Sequence, residues 1–325
     1  MEYKRYIPVL VGIVLLVVCF YDYDLNRVRE IFSSVNYYIL IPAFIFELVN
    51  LFVRSQRLKI ILNPIKKISD RSIFSYYSIG TFANVALPAL SGQVVRMFLF
   101  ARKYKISKTA FATGAMLEVL FDGLCLFGLM VGISFIVKFP EWMFGWRVGL
   151  GIAVMTLALL LVYITYRRSA VVHFTSRFTQ KLPQSFNRKL ARSYNSFTRA
   201  LRMLKSYKDI FKVSFLSMLS WAIHGVIIYM MFRAVGFTLG PWAAYFLLVV
   251  NSLAIMIVVT PGNVGTFNLA CALALSLFGI NKTDAISFSI LLYVVNFLPL
   301  IIAGLIFTIR EGVSIMGLKD TAAPS

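Results

Sequence analysis

Of the 325 residues, 59% are hydrophobic and only 14% are charged, and the mean hydropathy is +0.80. Soluble domains run nearer half apolar and a quarter charged, so a soluble enzyme, a disordered tail and a fibrous chain are excluded. Repeated uncharged runs point instead to an all-α, polytopic membrane protein. Lys and Arg number 33 against 13 acids, a formal charge of +20. In a membrane chain that excess marks cytoplasmic loops facing anionic lipid rather than a nucleic-acid partner. Cys19, Cys125 and Cys271 lie in apolar runs, and His173 and His224 have no Cys or carboxylate cluster beside them. Neither a disulfide framework nor a metal or cofactor site is expected.

The first apolar run, 6–21, follows Lys4 and Arg5 and lacks a small-residue cleavage site, so it reads as an uncleaved first span. Further runs fall at 37–53, 73–90, 109–137, 148–166, 213–232, 242–260, 264–280 and 285–309. Residues 54–73 read as a loop carrying Arg54, Arg57, Lys59, Lys66, Lys67 and Arg71 against Asp70. Residues 102–108 carry Arg102, Lys103, Lys105 and Lys108, and 167–212 carry twelve Lys or Arg against Asp209. These three loops are expected inside, with both termini cytoplasmic. The segments 22–35, 138–147, 236–241 and 281–284 are short and near neutral, as outer loops would be. Within the long loop, Phe186, Leu190, Tyr194, Phe197, Leu201, Leu204 and Tyr207 recur at helical spacing. That predicts a basic amphipathic helix over 186–207, anchored on the inner leaflet's anionic lipids.

Two inside loops, 54–73 and 102–108, leave only 73–101 between them. The second limb, 91–101, is too short to cross a core about 30 Å thick. A re-entrant hairpin turning near Pro88 and Gly92 solves the count. Pro261 and Gly265 repeat the spacing of Pro88 and Gly92, and residues 106–109 echo 280–283. Two inverted units, roughly 37–137 and 211–309, are expected within a single transmembrane domain over 1–325. The count is about six full spans plus two re-entrant hairpins, or 8–10 membrane helices. Alternatively, 242–260 and 264–280 are two full spans, since both runs are long enough.

Ionisable groups inside spans are costly and default to functional candidates. Glu118 and Asp122 share a helix face, where unpaired they would repel. Arg96 on the returning limb reaches a similar depth, to bind an anion or to pair with Glu118. Glu47 reads as lying on the cytoplasmic half of its span. Glu118, Asp122 and Glu47 are candidates for charge or proton coupling. Helices restarting near Ser91 and Asn263 would offer free N–H groups to an anion. Gly92, Gly262 and Gly265 allow close backbone approach. His224 reads as a buried, hydrogen-bonded histidine. Asn84, Asn251, Asn268 and Asn296 read as interhelical hydrogen-bonding groups.

Asn84, Leu87, Pro88, Gly92, Gln93, Arg96, Glu118 and Asp122, followed by Pro261, Gly262, Asn263, Gly265 and Asn268, resemble the motifs of a known family. It is the lysylphosphatidylglycerol synthase transmembrane, or flippase-like, domain family, membrane part only. Gln93 and Asn268 stand where the family tends to have acids, and Val119 where it has a basic residue. The resemblance implies movement of an anionic phospholipid or polyprenyl-phosphate-linked lipid between leaflets of a prokaryotic inner membrane. Its headgroup would sit at Asn84, Ser91, Gly92, Gln93, Arg96, Gly262, Asn263 and Gly265. The synthase activity in the family name belongs to an extra soluble domain, so a transporter is expected here rather than an enzyme. The alternatives are a polyprenyl-phosphate-dependent glycosyltransferase using Asp22 and Asp24, or a non-catalytic partner in envelope lipid synthesis. No phosphate-binding P-loop is present in the sequence, so energy would come from an ion gradient, substrate consumption or downhill flow.

Overall fold

The computed structural model describes residues 3–21, 24–86, 91–137, 142–166, 195–198, 201–257 and 260–313. Among them every regular element is helical. Helix α1 spans Tyr3–Phe20 and α2 spans Leu25–Ser34. The α2 segment was expected as loop, but Asp24 caps it by accepting the N–H groups of Asn26 and Arg27 at 3.0 and 3.2 Å. A 3₁₀ turn at Tyr37–Ile39 leads into α3, Leu40–Leu62. This helix runs nine residues past the expected end at Val53 and stops before Pro64, which has no N–H to extend the ladder.

Two short helices follow, α4 over Asp70–Ala86 and α5 over Ser91–Tyr104, packed against each other. Lys105, at φ 53°, reverses the chain, and Ser107 caps α6, Lys108–Ser134. Helix α7 spans Trp142–Tyr166 and α8 spans Tyr207–Val235. A second pair of short helices comprises α9, Pro241–Ile257, and α10, Thr266–Ser276. A 3₁₀ turn at Pro261–Asn263 precedes α10, and α11, Lys282–Arg310, follows it. Most of the expected amphipathic helix lies outside the described residues. Residues 195–198 form one helical turn, and Leu201–Lys205 is a 3₁₀ turn with Leu201 and Leu204 buried.

Four helices are long and apolar enough to cross a membrane: Tyr37–Leu62, Lys108–Ser134, Tyr207–Val235 and Lys282–Arg310. The order long, short, short, long occurs at α3–α6 and again at α8–α11. Helix α5 has 14 residues, about 21 Å, and α10 has 11, about 16 Å. Neither reaches across a core of about 30 Å, so α10 does not make the full span that its apolar run allowed. Leu10, Ile13, Ile41, Ile45, Phe215 and Met218 lie exposed on the outside. Such a surface suits lipid rather than water.

Contacts fix which helix ends lie together. At one end, Lys59 pairs with Asp70 at 2.8 Å, and Glu311 takes Ser75 Oγ–H at 2.9 Å and Lys103 Nζ at 3.3 Å. The start of α4, the end of α5 and the end of α11 therefore meet. At the other end, Arg27 grips Asp284 at 3.0 and 3.1 Å, and Asn36 N–H donates to Ala234 O at 2.8 Å. Phe246 of α9 packs edge-on against Phe278, just past α10, at 5.5 Å. Helix α3 lies along α8, and α4 lies along α11.

This arrangement gives an expected labelling pattern. Cysteines replacing Lys103 and Lys189 should react with a membrane-impermeant thiol reagent from the cytoplasmic side, and one replacing Lys282 from the opposite side. Reaction of the 103 position from the same side as 282 would remove the hairpin that α4 and α5 make.

Glu311 gives a second expectation. Burial alone would raise its carboxyl pKa, but the Ser75 hydrogen bond and Lys103 outweigh that and lower it. A carboxyl with a lowered folded pKa stabilises above its unfolded value, near 4.3, and the gain fades as pH falls through the folded one. Glu311→Gln should therefore lower thermal stability at neutral pH, by about 1 kcal/mol or less. The gap to the parent should close in acid below pH of about 4; a gap that persists there would count against this role.

Candidate functional site

Helix α3 carries Glu47, Asn50, Arg54 and Arg57 at spacings of three, four and three, so one face of a membrane helix is polar. The expected loop reading of Arg54 and Arg57 is corrected. Both lie on the helix, because the face they occupy meets polar groups of α6 and α8 rather than lipid. Glu47 lies nearer the Leu40 end of this helix than the Leu62 end.

Arg57 is 2% exposed and forms the centre of a charge cluster. Its two Nη groups fork onto Asp122 of α6, with Nη2 to Oδ2 at 2.9 Å and Nη1 to Oδ1. Nη1 also donates to Ser217 Oγ of α8 at 3.0 Å. Nη2 stands 3.5 Å from Glu118 Oε1, and Glu118 Oε2 takes Arg96 Nη1 of α5 at 3.5 Å. The indole N–H of Trp221 donates to Asp122 Oδ1 at 3.2 Å. Glu118 and Asp122 thus do not stand unpaired on their shared face, as the sequence suggested. Arg57 lies between them and cancels their repulsion.

A second string of hydrogen bonds joins α3 to α8. Arg54 Nε–H donates to Ser220 Oγ at 3.0 Å, and Ser220 O–H donates to Asn50 Oδ1 at 2.7 Å. The Asn50 amide N–H then donates to His224 Nδ1 at 3.0 Å, and His224 Nε2 stands 3.9 Å from Glu47 Oε2. His224 is therefore buried and hydrogen-bonded as expected.

The first hairpin is held backbone to backbone. A Cβ on Gly92 would collide with the Gly80 carbonyl and the Asn84 side chain, and one on Gly80 would collide with the Arg96 side chain. Asn84 Oδ1 accepts Gly92 N–H at 2.7 Å, so one of the free donors expected at the start of α5 is already taken. Arg96 lies one turn further along, 4% exposed, with its guanidinium 4.4 Å from the Tyr77 ring centroid. Arg96 Nε and Gln93 Oε1 are buried without a hydrogen-bond partner. The Ser91 side chain and the turn at 87–90, which holds Pro88, lie outside the described residues.

The second hairpin's helix begins at Thr266, not near Asn263 as expected. Asn268 Oδ1 caps it by accepting Gly265 N–H at 3.2 Å, while its Nδ2 donates to Ser289 at 2.7 Å. Asn263 and Gly262 both take φ 61°, and Gly262 O accepts Tyr293 O–H at 2.7 Å. A Cβ on Gly262 would stand 3.4 Å from Val85 O, so the turn abuts the end of α4. The structure brings together Asn84 with Gly92, and Arg96, Glu118 and Asp122 around Arg57. It joins Glu47 to His224 and leaves Gly262, Asn263 and Gly265 with neighbours in α1, α4 and α11. The sequence reading missed Arg57, Asn50, Ser217, Ser220 and Trp221. The polar spacing along 47–57 was the available signal. An apolar cleft of about 490 Å³, lined by Phe121, Leu124, Leu129, Met218 and Trp221, opens between α6 and α8.

Long apolar helices, an apolar exterior and guanidiniums buried among carboxyl groups define an integral membrane protein. The family model of the lysylphosphatidylglycerol synthase TM region matches residues 6–304, and the chain belongs to that family. Membership ties it to the lipids of the envelope membrane. A search of curated proteins returns no match.

Breaking a buried ion pair leaves a lone charge and costs about 3–5 kcal/mol. Arg57→Ala should lower thermal stability in detergent on that scale, and adding Asp122→Asn should recover part of it. An Arg57→Ala protein as stable as the parent would sink this account of the cluster.

Proposed function

We propose that the protein moves an anionic lipid, a phospholipid or a polyprenyl-phosphate-linked lipid, between leaflets, and that Arg96 meets its phosphate. The carrying observation is the unequal use of two buried guanidiniums. A guanidinium has five N–H donors. Arg57 commits both Nη groups to Asp122 and Ser217, stands 3.5 Å from Glu118 and leaves its Nε without a partner. Arg96 makes one hydrogen bond at 3.5 Å and holds an unpartnered Nε. Both keep a free Nε, but Arg96 spends only one Nη bond and so has more donors to offer, and a planar fork suits a phosphate.

Three further features support this reading. The short hairpins open toward opposite ends of the molecule, which is what two inverted re-entrant units require. The turn of one abuts the other's α4 near Arg96's hairpin, so an anion there lies at the junction of the two units. The apolar cleft beside Trp221 would keep acyl or prenyl chains next to the charge cluster without drawing them through it. The protein acts as a transporter, in a prokaryotic cytoplasmic membrane, rather than as a transferase. Asp24, one of the two acids a glycosyltransferase reading needs, caps α2 instead, and Asp22 lies outside the described residues.

Reconstitution in liposomes tests this. Each charge-assisted hydrogen bond contributes about 1.5–3 kcal/mol, so Arg96→Ala should slow headgroup translocation by about ten- to hundredfold. Arg96→Lys should be intermediate. If Arg96 only pairs with Glu118, the double change with Glu118→Gln should restore both stability and translocation. Recovery of stability alone is the expected result.

A further inference from the structure

Glu47 stands apart from the Arg57 cluster. It is 2% exposed, and its Oε2 has no hydrogen-bond partner. The polar group that faces that atom is His224 Nε2 of α8, at 3.9 Å. We propose that Glu47 and His224 form a proton-binding site and that the bound proton is the ion coupled to lipid movement. The proposal rests on the lipid-moving reading above and adds its energy source.

The hydrogen bonds around the pair fix its chemistry. The Asn50 carbonyl oxygen is occupied by the Ser220 hydroxyl, so the amide nitrogen must be the group that faces His224. An amide N–H only donates, hence His224 Nδ1 accepts and the ring proton sits on Nε2, toward Glu47. Every donor in the string Arg54, Ser220, Asn50, His224 therefore points the same way, and the string ends at the Glu47 carboxyl. Bonds aligned in this manner polarise one another.

Two states follow. With the proton on Glu47, an O–H bond completes a neutral carboxyl, which tolerates the 3.9 Å gap. When that O–H bond breaks and the proton leaves to water, the electron pair stays on the oxygen. A buried carboxylate whose neighbouring donor is the neutral Asn50 amide, with Oε2 unpartnered, is costly. The further donor at hand is His224 Nε2–H, and the gap must shrink to about 2.9 Å for a hydrogen bond. The imidazole is rigid, so turning Nε2 toward Glu47 draws Nδ1 away from Asn50. The Asn50 amide, the Ser220 hydroxyl and Arg54 then lose their fixed order. Arg54 lies seven residues along α3 from Glu47, about 10 Å, and one turn short of Arg57. A single proton thus reaches the edge of the cluster that holds Arg96.

The charged groups that face the pair are Arg54 on α3 and Asp122 on α6. Helices α4 and α11, and the turn at Tyr37–Ile39, bring none to it among the described residues.

The chain has two histidines, so His173→Gln leaves His224 as the single imidazole. Nitrogen-15 NMR of that full-length variant in nanodiscs reads both ring nitrogens from about pH 5 to about pH 9. Expected are an accepting Nδ1 and a protonated Nε2 in acid, and one concerted step in both signals as Glu47 releases its proton. Adding Glu47→Gln should abolish the step and hold the acid-form spectrum throughout. No step in the parent, or a step that persists in Glu47→Gln, would overturn the site. A second arm measures lipid movement in liposomes with and without a pH gradient. The parent should respond by about tenfold, a coupling of ordinary strength, and Glu47→Gln by no factor at all. A gradient response of one in the parent would overturn the coupling. A Glu47-dependent NMR step with no lipid movement in the parent would leave the proton site standing, overturn its coupling to lipid and remove the lipid-moving reading.

Discussion

Arg57 cannot be buried in a membrane helix unless its charge is answered, and the answer sets how α3, α6 and α8 pack. A guanidinium alone at that depth would cost several kcal/mol. Here α6 supplies Asp122 and Glu118, and α8 supplies Ser217. A slide of α3 by one residue would rotate Arg57 by about 100° away from all of them, so the three helices hold one relative register. Glu118 carries the constraint one step further by reaching Arg96. The first hairpin is thereby tied to the bundle by charge as well as by the Gly80 and Gly92 contact.

The two halves share an order of helices but not a chemistry. In α3–α6 the interior is held by guanidiniums and carboxyl groups. In the interior of α9–α11 the described polar contacts are uncharged: Asn251 Nδ2 with Cys271 Sγ at 3.3 Å, Asn268 with Ser289, and Thr260 Oγ1 with Val264 O at 2.8 Å. Aromatic packing does the rest, with Phe232 and Phe237 both against Phe288 at 5.1 and 5.5 Å. A frame repeated with unequal linings places the buried charges in the first unit and leaves the second to close against it through Gly262.

Composition and run length made the helical membrane class legible, because a bilayer enforces apolar runs and closed backbone hydrogen bonds in any sequence that spans it. That residues 73–101 hold two short helices packed together was also legible, since the basic stretches on either side were too close in sequence for two full crossings. Charge misled where it was read as a sign of loop. Arg54 and Arg57 sit in a helix because residues 60 and more positions away, on α6 and α8, answer them, and one-dimensional spacing carries no record of a partner so distant. The start of α10 was misplaced for a similar reason. Gly262 and Asn263 both adopt positive φ, and only the three-dimensional turn shows that the helix waits until Asn268 can cap Gly265.

Helix α1 has a place in time as well as in space. Its outer face lies bare to lipid at Leu10, Ile13, Val14 and Val17. Its anchors belong to residues made much later. Gly12 lies against Thr260 and Gly265, and the Lys282 ammonium donates to the carbonyls of Val18 and Tyr21 at 3.0 and 2.7 Å. At synthesis rates of about 5–20 residues per second, α1 must wait on the order of ten seconds or more for its dock. During that interval Cys19, buried in the finished fold, is without its cover. Completion of the second hairpin is therefore the event that fastens α1, and a ribosome stalled before residue 260 leaves that helix adrift in the bilayer.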